Sequence, residues 1–186
     1  MTYEFTQIVL PTAGLEQPSF VDDIDRSCIW GTFFGLFGIP NNQRIIVSRM
    51  TDRSLRDAIP DSAIVNHFTM AATARPVDTQ PLSRDGLYVN RTFNILPDHV
   101  DEFVELSKVA WQTFETDDEF AAHPFGLFRP DQVIDGLVPM QLFTWYDNLA
   151  SWERSRNPDE AASENFSRRR LLTVTSSAIA TRLVTL

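Results

Sequence analysis

The chain has 186 residues, 43% of them hydrophobic and 22% charged, so it is long enough to bury a core as one domain or two small ones. This composition excludes a disordered or collagen-like chain and is typical of a globular protein. The formal net charge of −9 and the pI of about 4.7 oppose sequence-independent binding to nucleic acid or to an anionic membrane surface. We therefore expect neither nucleic acid nor a membrane as a partner.

The cysteine content and the N-terminal residues bear on the compartment. Cys28 is the only cysteine, which excludes an intramolecular disulfide and a cysteine-based zinc site. The first residues, MTYEFTQIVL, lack the basic region and long apolar run of a signal peptide. No window approaches the roughly 20 apolar residues of a membrane helix. These features predict a cytoplasmic protein.

The first part of the chain alternates strand patterns with two short helix patterns. Strands are predicted at 3–10, 30–39, 44–50 and 63–72, and helices at 19–27 and 53–59. The stretch 73–85, TARPVDTQPLSRD, is polar, rich in proline and without a period, which is typical of a linker. The predicted organisation is a first half at 1–74, a linker at 75–85 and a second half at 86–186.

The second half begins with a strand rich in aromatic and β-branched residues and continues with a strongly amphipathic helix. Strands are predicted at 87–96, 125–129, 140–146 and 176–186. The first helix follows Pro97 and Asp98, and its apolar positions run from Val100 to Phe114. A second helix is predicted from 147 through Trp152 toward 172, interrupted at Pro158.

The tetrapeptide FGLF occurs at 34–37 and again at 125–128, in the second predicted strand of each half. Both halves follow the order β-α-β-β-α-β, which is that of the ferredoxin-like unit. The separation suits a duplicated small domain and is too long for a solenoid repeat. The sequence thus predicts an α+β fold of two tandem ferredoxin-like repeats whose sheets face each other, forming an α/β barrel within one chain. The interior would hold either a cavity or a packed core.

Two runs in the second half, YVNRTFNILPDHVDEFVEL and MQLFTWYDNLASWERSRN, carry a resemblance to a known family. They are similar to the strand-to-helix opening and to the second signature of NIPSNAP-type domains in the dimeric α/β barrel superfamily. Asn90 stands where an apolar residue is usual, and Asn148 replaces the usual serine. The superfamily includes cofactor-free monooxygenases, lactone isomerases, haem peroxidases and chlorite-dismutase-like proteins, so the resemblance implies a fold and no single reaction.

Arg91 is the first candidate catalytic residue. It shares a predicted strand face with Leu87, Val89, Phe93 and Ile95, so its guanidinium is presented among hydrophobic side chains. Such a group needs an anionic partner. The partner would be either a neighbouring Asp or Glu in a structural ion pair, or a ligand held in the barrel.

His67 is the second catalytic candidate, because a strand could direct it into the barrel as a general acid or base. The alternative is a hydrogen-bonded core histidine. His99 and His123 lie far from it in sequence, and no spacing typical of metal ligands occurs. We therefore expect no metal ion, no haem and no other cofactor.

Asn90, Trp145 and Tyr146 are the candidate ligand-binding residues. Trp145 and Tyr146 are adjacent on one strand, so only one of them faces the interior while the other packs against the helices. The helix that follows carries Arg154, Arg156 and the run 168–170. A solvated face with local ion pairs explains these charges at least as well as an anion-binding site does.

Two functions of different classes fit these patterns. The first is a protein that binds or transforms a small apolar, carbonyl-bearing or carboxylate-bearing molecule in the barrel interior. The second is a structural or interaction protein with a packed barrel, whose role would be homo-oligomerisation. An interior void with converging polar groups would favour the first function, and a filled interior would favour the second.

Overall fold

The computed structural model of the protein describes residues 1–11, 26–52, 54–114, 121–156 and 160–184. These residues form eight β-strands and four α-helices, together with short 3-10 turns. In chain order the elements are β1 (Thr2–Val9), β2 (Ile29–Phe37), β3 (Gln43–Arg49), α1 (Leu55–Ala58), β4 (Ile64–Arg75), β5 (Leu87–Ile95), α2 (Val100–Phe114), β6 (Ala122–Pro130), β7 (Val138–Tyr146), α3 (Leu149–Arg154), α4 (Glu160–Leu171) and β8 (Thr173–Leu183).

The eight strands form a closed barrel in the order β1-β3-β2-β8-β5-β7-β6-β4. Every strand pairing is antiparallel. The four strands of the first half lie in the order β4-β1-β3-β2, and those of the second half repeat this order as β8-β5-β7-β6. The predicted α+β class is therefore confirmed, and the sheet has a ferredoxin-like strand order.

The second half follows the predicted order of elements. Pro97 opens a 3-10 turn that leads into α2, whose first turn carries Asp101 and Glu102 at the end where the helix dipole favours negative charge. Helices α3 and α4 replace the single interrupted helix, and Pro158 lies outside the described residues. Within the described chain, no helix is both long enough and apolar enough to cross a bilayer.

The helices of the first half are less complete than predicted. The helix predicted at 19–27 falls almost entirely outside the described residues, and only its end joins the 3-10 turn Arg26–Cys28. Helix α1 is shorter than the predicted 53–59. Its N-cap, Ser54, accepts a hydrogen bond from the backbone N–H of Arg56 at 3.1 Å. The buried carboxylate of Glu4 accepts a further bond, from the backbone N–H of Leu55 at 2.9 Å.

Both FGLF segments lie in the second strand of their half, as predicted, and both contain an irregularity. The pairing register shifts at Gly35 in β2 and at Gly126 in β6. A Cβ atom added to Gly126 would lie 3.1 Å from the Trp30 side chain and would meet the ring of Phe128. The glycines therefore provide room for neighbouring side chains where the strands bend.

The centre of the barrel is a packed aromatic core. Ring centroids lie 5.2 Å apart for Tyr3 and Phe128, and 5.6 Å apart for Trp30 and Phe143, both in edge-to-face contact. All seven strands β1 to β7 contribute buried side chains to this cluster, which we call the interior cluster. Its buried members are Tyr3, Phe5, Trp30, Phe33, Ile45, Val47, Phe68, Met70, Tyr88, Phe128, Phe143 and Trp145.

Alternation along the strands assigns the remaining side chains to the outer face. On β5, Tyr88 belongs to the interior cluster, so Val89, Arg91 and Phe93 face outward. Consistent with this, Phe93 packs with residues of α2, and Val89 packs with Tyr146 beneath α3 and α4. The outer face of the second half is thus a second apolar layer, covered by helices.

Gly86, directly before β5, provides a test of this packing. Its φ is +146°, and an added Cβ would lie 2.6 Å from the backbone oxygen of Tyr146 and would meet the indole of Trp145. We expect Gly86→Ala to lower the free energy of unfolding by about 3 kcal/mol, because the cost of backbone strain and the cost of overpacking add to each other. Denaturant unfolding of both proteins measures this change.

Gly136 is the matched control, because its φ is +78° but an added Cβ would meet nothing within 4 Å. Gly136→Ala should therefore cost only the backbone strain, about 1 kcal/mol. Equal losses for the two variants would contradict the close packing described around Gly86.

Candidate functional site

Trp145 and Asn90 are the two candidate ligand-binding residues that face the interior. The indole N–H of Trp145 donates to the backbone oxygen of Asp85 at 2.8 Å, and the guanidinium of Arg84 lies 3.3 Å from the ring centroid. Asn90 is 4% exposed, and its Oδ1 has no hydrogen-bond partner among the described residues. Both side chains lie within the packed core and not in an interior pocket.

His67 also departs from the prediction that it points into the barrel. Its strand neighbour Phe68 belongs to the interior cluster, so the imidazole faces outward. Its Nδ1 forms a hydrogen bond of 3.0 Å with Oγ1 of Thr6. Burial lowers the pKa of His67, an effect opposed in part by the nearby carboxylate of Glu4. The side chain is therefore a neutral, hydrogen-bonded histidine on the outer face.

Arg91 and Tyr146 lie together on the outer face, where they line a cavity. Tyr146 is 5% exposed and is the one of the two adjacent aromatic residues that packs toward the helices, as the alternation predicts. A ligand inside the barrel was one of the two partners considered for Arg91, but Arg91 does not face the interior, because its face of β5 is the one covered by α2 and α4. The sequence could group Arg91 with its apolar neighbours but could not tell which face of the strand closes inward.

The cavity lies between the outer face of β5 and β7 and the helices above it, and we call it the arginine pocket. Its volume is about 160 Å³. Strands, helices and the segment after α3 all contribute to its wall. The lining residues are Val89, Arg91, Phe93, Trp111, Pro124, Leu142, Thr144, Tyr146, Ser155, Arg156, Phe166, Arg169, Arg170, Thr173 and Ser176.

The arginines of the pocket contact aromatic rings and hydroxyl groups. The guanidinium of Arg169 lies 5.0 Å from the ring centroids of both Phe93 and Phe166, and it donates to Oγ of Ser107 at 3.3 Å. The guanidinium of Arg91 lies 5.8 Å from the centroid of Phe93. Among the described residues, neither arginine has a carboxylate partner. The structural ion pair considered for Arg91 is therefore absent from the described part of the chain.

The electrostatics of the pocket follow from this arrangement. Burial lowers the pKa of Arg91, and the charge of Arg156 lowers it further. Burial likewise lowers the pKa of Arg169 to about 10, with additional contributions from Arg91 and Arg156. Arg91 and Arg169 nevertheless remain charged at neutral pH, so the pocket concentrates positive charge in a chain whose net charge is −9.

Sequence reasoning missed three residues of the pocket. Arg156, Arg169 and Arg170 were interpreted as parts of a solvated face. That interpretation holds for Arg168, whose guanidinium pairs with Glu102 at 3.2 Å outside the pocket. The available signal was the concentration of arginines between 154 and 170 in an otherwise acidic chain.

A second cavity, of about 390 Å³, lies beneath residues 75–84 at one end of the barrel. Its aromatic wall includes Trp30 and Phe125. The guanidinium of Arg75 donates to the backbone oxygen of Pro124 at 2.7 Å and lies 3.4 Å from Nε2 of His123. The guanidinium of Arg75 is thus already held by a backbone oxygen of the protein. The described residues contain no group of three or more His, Cys, Asp or Glu side chains that could hold a metal ion.

Comparison with solved structures shows proteins of the same fold. An anthrone oxidase-like protein matches 99% of this chain and 91% of its own, with a TM-score of 0.60 and 12% identity. A ferredoxin-fold protein from Listeria monocytogenes, related to antibiotic biosynthesis monooxygenases, matches 100% and 96%, with a TM-score of 0.54 and 7% identity. A heme-degrading enzyme from the same organism matches 98% and 99%, with a TM-score of 0.53 and 6% identity.

Neither a protein-family profile nor a curated protein sequence matches the chain. At the identities of its structural neighbours, the likeness establishes the ferredoxin-like α+β fold alone.

The environment of His67 predicts how the stability of the fold depends on pH. Because burial lowers its pKa in the folded state, the unfolded chain binds more protons just below the ordinary value of 6.5. The contribution of neutral His67 to stability is present above pH 6.5 and is lost as the pH falls through the lowered pKa. We expect His67→Gln to remove this part of the pH dependence, measured as the thermal midpoint between pH 8 and pH 5.

Asn66→Gln, at the exposed preceding position of β4, controls for a change of side chain on this strand. It should keep the slope of the wild type. Parallel curves for His67→Gln and the wild type would show that the protonation of His67 does not affect stability.

Proposed function

We propose that the protein binds, and acts upon, a small organic anion with an apolar body in the arginine pocket. The observation that carries the proposal is the convergence of Arg91, Arg156, Arg169 and Arg170 on one cavity, where the described lining residues include no Asp or Glu. Arg91 and Arg169 are partly buried, whereas Arg156 and Arg170 are exposed at the rim. A partly buried guanidinium without an anionic partner is unfavourable, and a bound carboxylate or phosphate supplies that partner.

The rest of the lining suits the body of such a ligand. Trp111, Phe93, Phe166 and Leu142 present apolar and aromatic surface beside the charged groups. A cavity of 150 Å³ is sufficient to hold benzene, and this one measures about 160 Å³. A ligand with one ring or a short chain therefore fits, and a larger body would extend into solvent.

The hydroxyl of Tyr146 belongs to the same site. The phenol lines the pocket beside Arg91, and no hydrogen-bond partner for it exists among the described residues. It is free to donate to a carbonyl or carboxylate oxygen of the ligand. Arg91 and Tyr146, both singled out from the sequence, are proposed as ligand-contacting residues. We do not extend this role to His67, Asn90 or Trp145.

The fold supports the same class of function by analogy. Its structural neighbours include an anthrone oxidase-like protein and a heme-degrading enzyme, both named for chemistry on small molecules. We further propose that the chain is a tandem duplication with halves at 1–74 and 86–186, since the ferredoxin-like strand order occurs twice in one barrel. A NIPSNAP-type origin of the second half is part of this proposal and rests on the sequence motifs.

The interior of the barrel is packed, which is what the alternative of a structural protein requires. The arginine pocket lies outside that core, and scaffold function gives no reason for its uncompensated charge. We therefore favour ligand binding over a purely structural role.

Replacement of Arg91 distinguishes ligand binding from a purely structural role. Because no described carboxylate pairs with Arg91, Arg91→Met should leave the free energy of unfolding within about 1 kcal/mol of the wild type. The wild type should bind benzoate or phenyl phosphate, and the variant should lose most of this affinity. Thermal midpoints and isothermal titration calorimetry measure the two effects.

Arg168→Met is the matched control, because it removes a neighbouring guanidinium that lies outside the pocket. It should bind the same acids as the wild type does. A destabilisation of 3 to 5 kcal/mol by Arg91→Met, with no acid bound by the wild type, would instead show that Arg91 belongs to the scaffold.

A further inference from the structure

We propose that the arginine pocket selects dianions, such as a phosphate monoester or a small dicarboxylate, over monoanions of the same shape. This inference rests on the proposed function and specifies its ligand class. The shared chemistry is two negative charges carried on a compact group or on two nearby groups.

The first argument is the number of charges. Four arginines line the cavity, and among the described residues that line it there is neither Asp nor Glu. These charges lie close enough to repel one another, since the charge of Arg156 lowers the pKa of Arg91 in addition to burial, and the charges of Arg91 and Arg156 do the same for Arg169. A monoanion compensates only one of them and leaves the others repelling, whereas a dianion compensates two.

The second argument is the direction from which the charges approach. Arg91 extends from β5, Arg156 follows the end of α3, and Arg169 and Arg170 lie in the last turn of α4. Guanidinium groups that enter from separate elements can donate to different oxygens of one ligand. Multiple charge-assisted hydrogen bonds of this kind favour a group with several acceptor oxygens.

The third argument is the polar lining between the arginines. It consists of the hydroxyl groups of Thr144, Tyr146, Ser155, Thr173 and Ser176. Two of them already donate to backbone oxygens, Ser155 to that of Trp152 at 2.7 Å and Thr173 to that of Arg169 at 3.0 Å. The hydroxyl groups of Thr144, Tyr146 and Ser176 can donate to an oxyanion, and none of the five carries a negative charge that would repel a second one.

Two ligand pairs test the inference by isothermal titration at pH 8 and low salt. Phenyl phosphate and phenyl sulfate share one shape, but only the phosphate carries close to two charges, since its second pKa is about 6. Succinate and its monoamide, succinamate, form the corresponding carboxylate pair. We expect the dianion of at least one pair to bind at least about tenfold more tightly.

The two pairs distinguish the source of the charge. Preference for phenyl phosphate alone identifies a phosphate ester, preference for succinate alone identifies a dicarboxylate, and preference in both pairs identifies dianions in general. Lowering the pH to 5 should weaken the binding of phenyl phosphate toward the affinity of phenyl sulfate, because the phosphate ester gains a proton.

A variant links the preference to the pocket. Arg156→Gln removes an exposed guanidinium beyond the end of α3, so the fold should be retained. We expect it to reduce the phosphate-to-sulfate ratio to about threefold or less, whereas Arg168→Gln keeps the wild-type ratio. An unchanged ratio in Arg156→Gln would overturn the inference.

The outcomes also separate the inference from the proposed function. If monoanions and dianions bind with affinities within twofold of each other, the dianion inference is wrong and anion binding stands. If none of the four ligands binds, the dianion inference and the proposed function are both rejected.

Discussion

Closure of the eight-stranded sheet determines where this protein has room for a ligand. Once the barrel is closed, one side chain of every adjacent pair on a strand must enter a small interior, and large aromatic rings such as Phe33, Phe128 and Phe143 fill it. Among the described residues, space then remains in two places, where helices rest on the outer face of the sheet and beneath residues 75–84. The arginine pocket lies in the first of these places, between the strands of the second half and α2 to α4.

The charge of the arginine pocket is opposite in sign to the net charge of the chain. An acidic chain of net charge −9 places four arginines around one cavity and surrounds them with aromatic rings. Cation–π contacts such as that between Arg169 and Phe166 hold the guanidinium groups in position without neutralising them. The positive potential is therefore available to a small anion.

The order of elements in the second half and the α+β class could be predicted from the sequence, because period-2 and helical patterns are local properties. The alternation on β5 also grouped Arg91 with Val89 and Phe93. It could not identify the inward face, since helices cover the outside and both faces are apolar. Side chains at 91 and 169 meet only through tertiary packing of β5 beneath α4, so no local pattern reveals the pocket they form.

The most direct test of the account is the position of a bound acid. Crystals of the protein soaked with 4-iodobenzoate can be examined for the anomalous signal of iodine, which locates the ring independently of any assumption about the site. We expect the iodine in the arginine pocket, with the carboxylate beside Arg91 and Arg169. A bound acid in the barrel interior, or beneath residues 75–84, would contradict the assignment of the functional site to the outer face of the sheet.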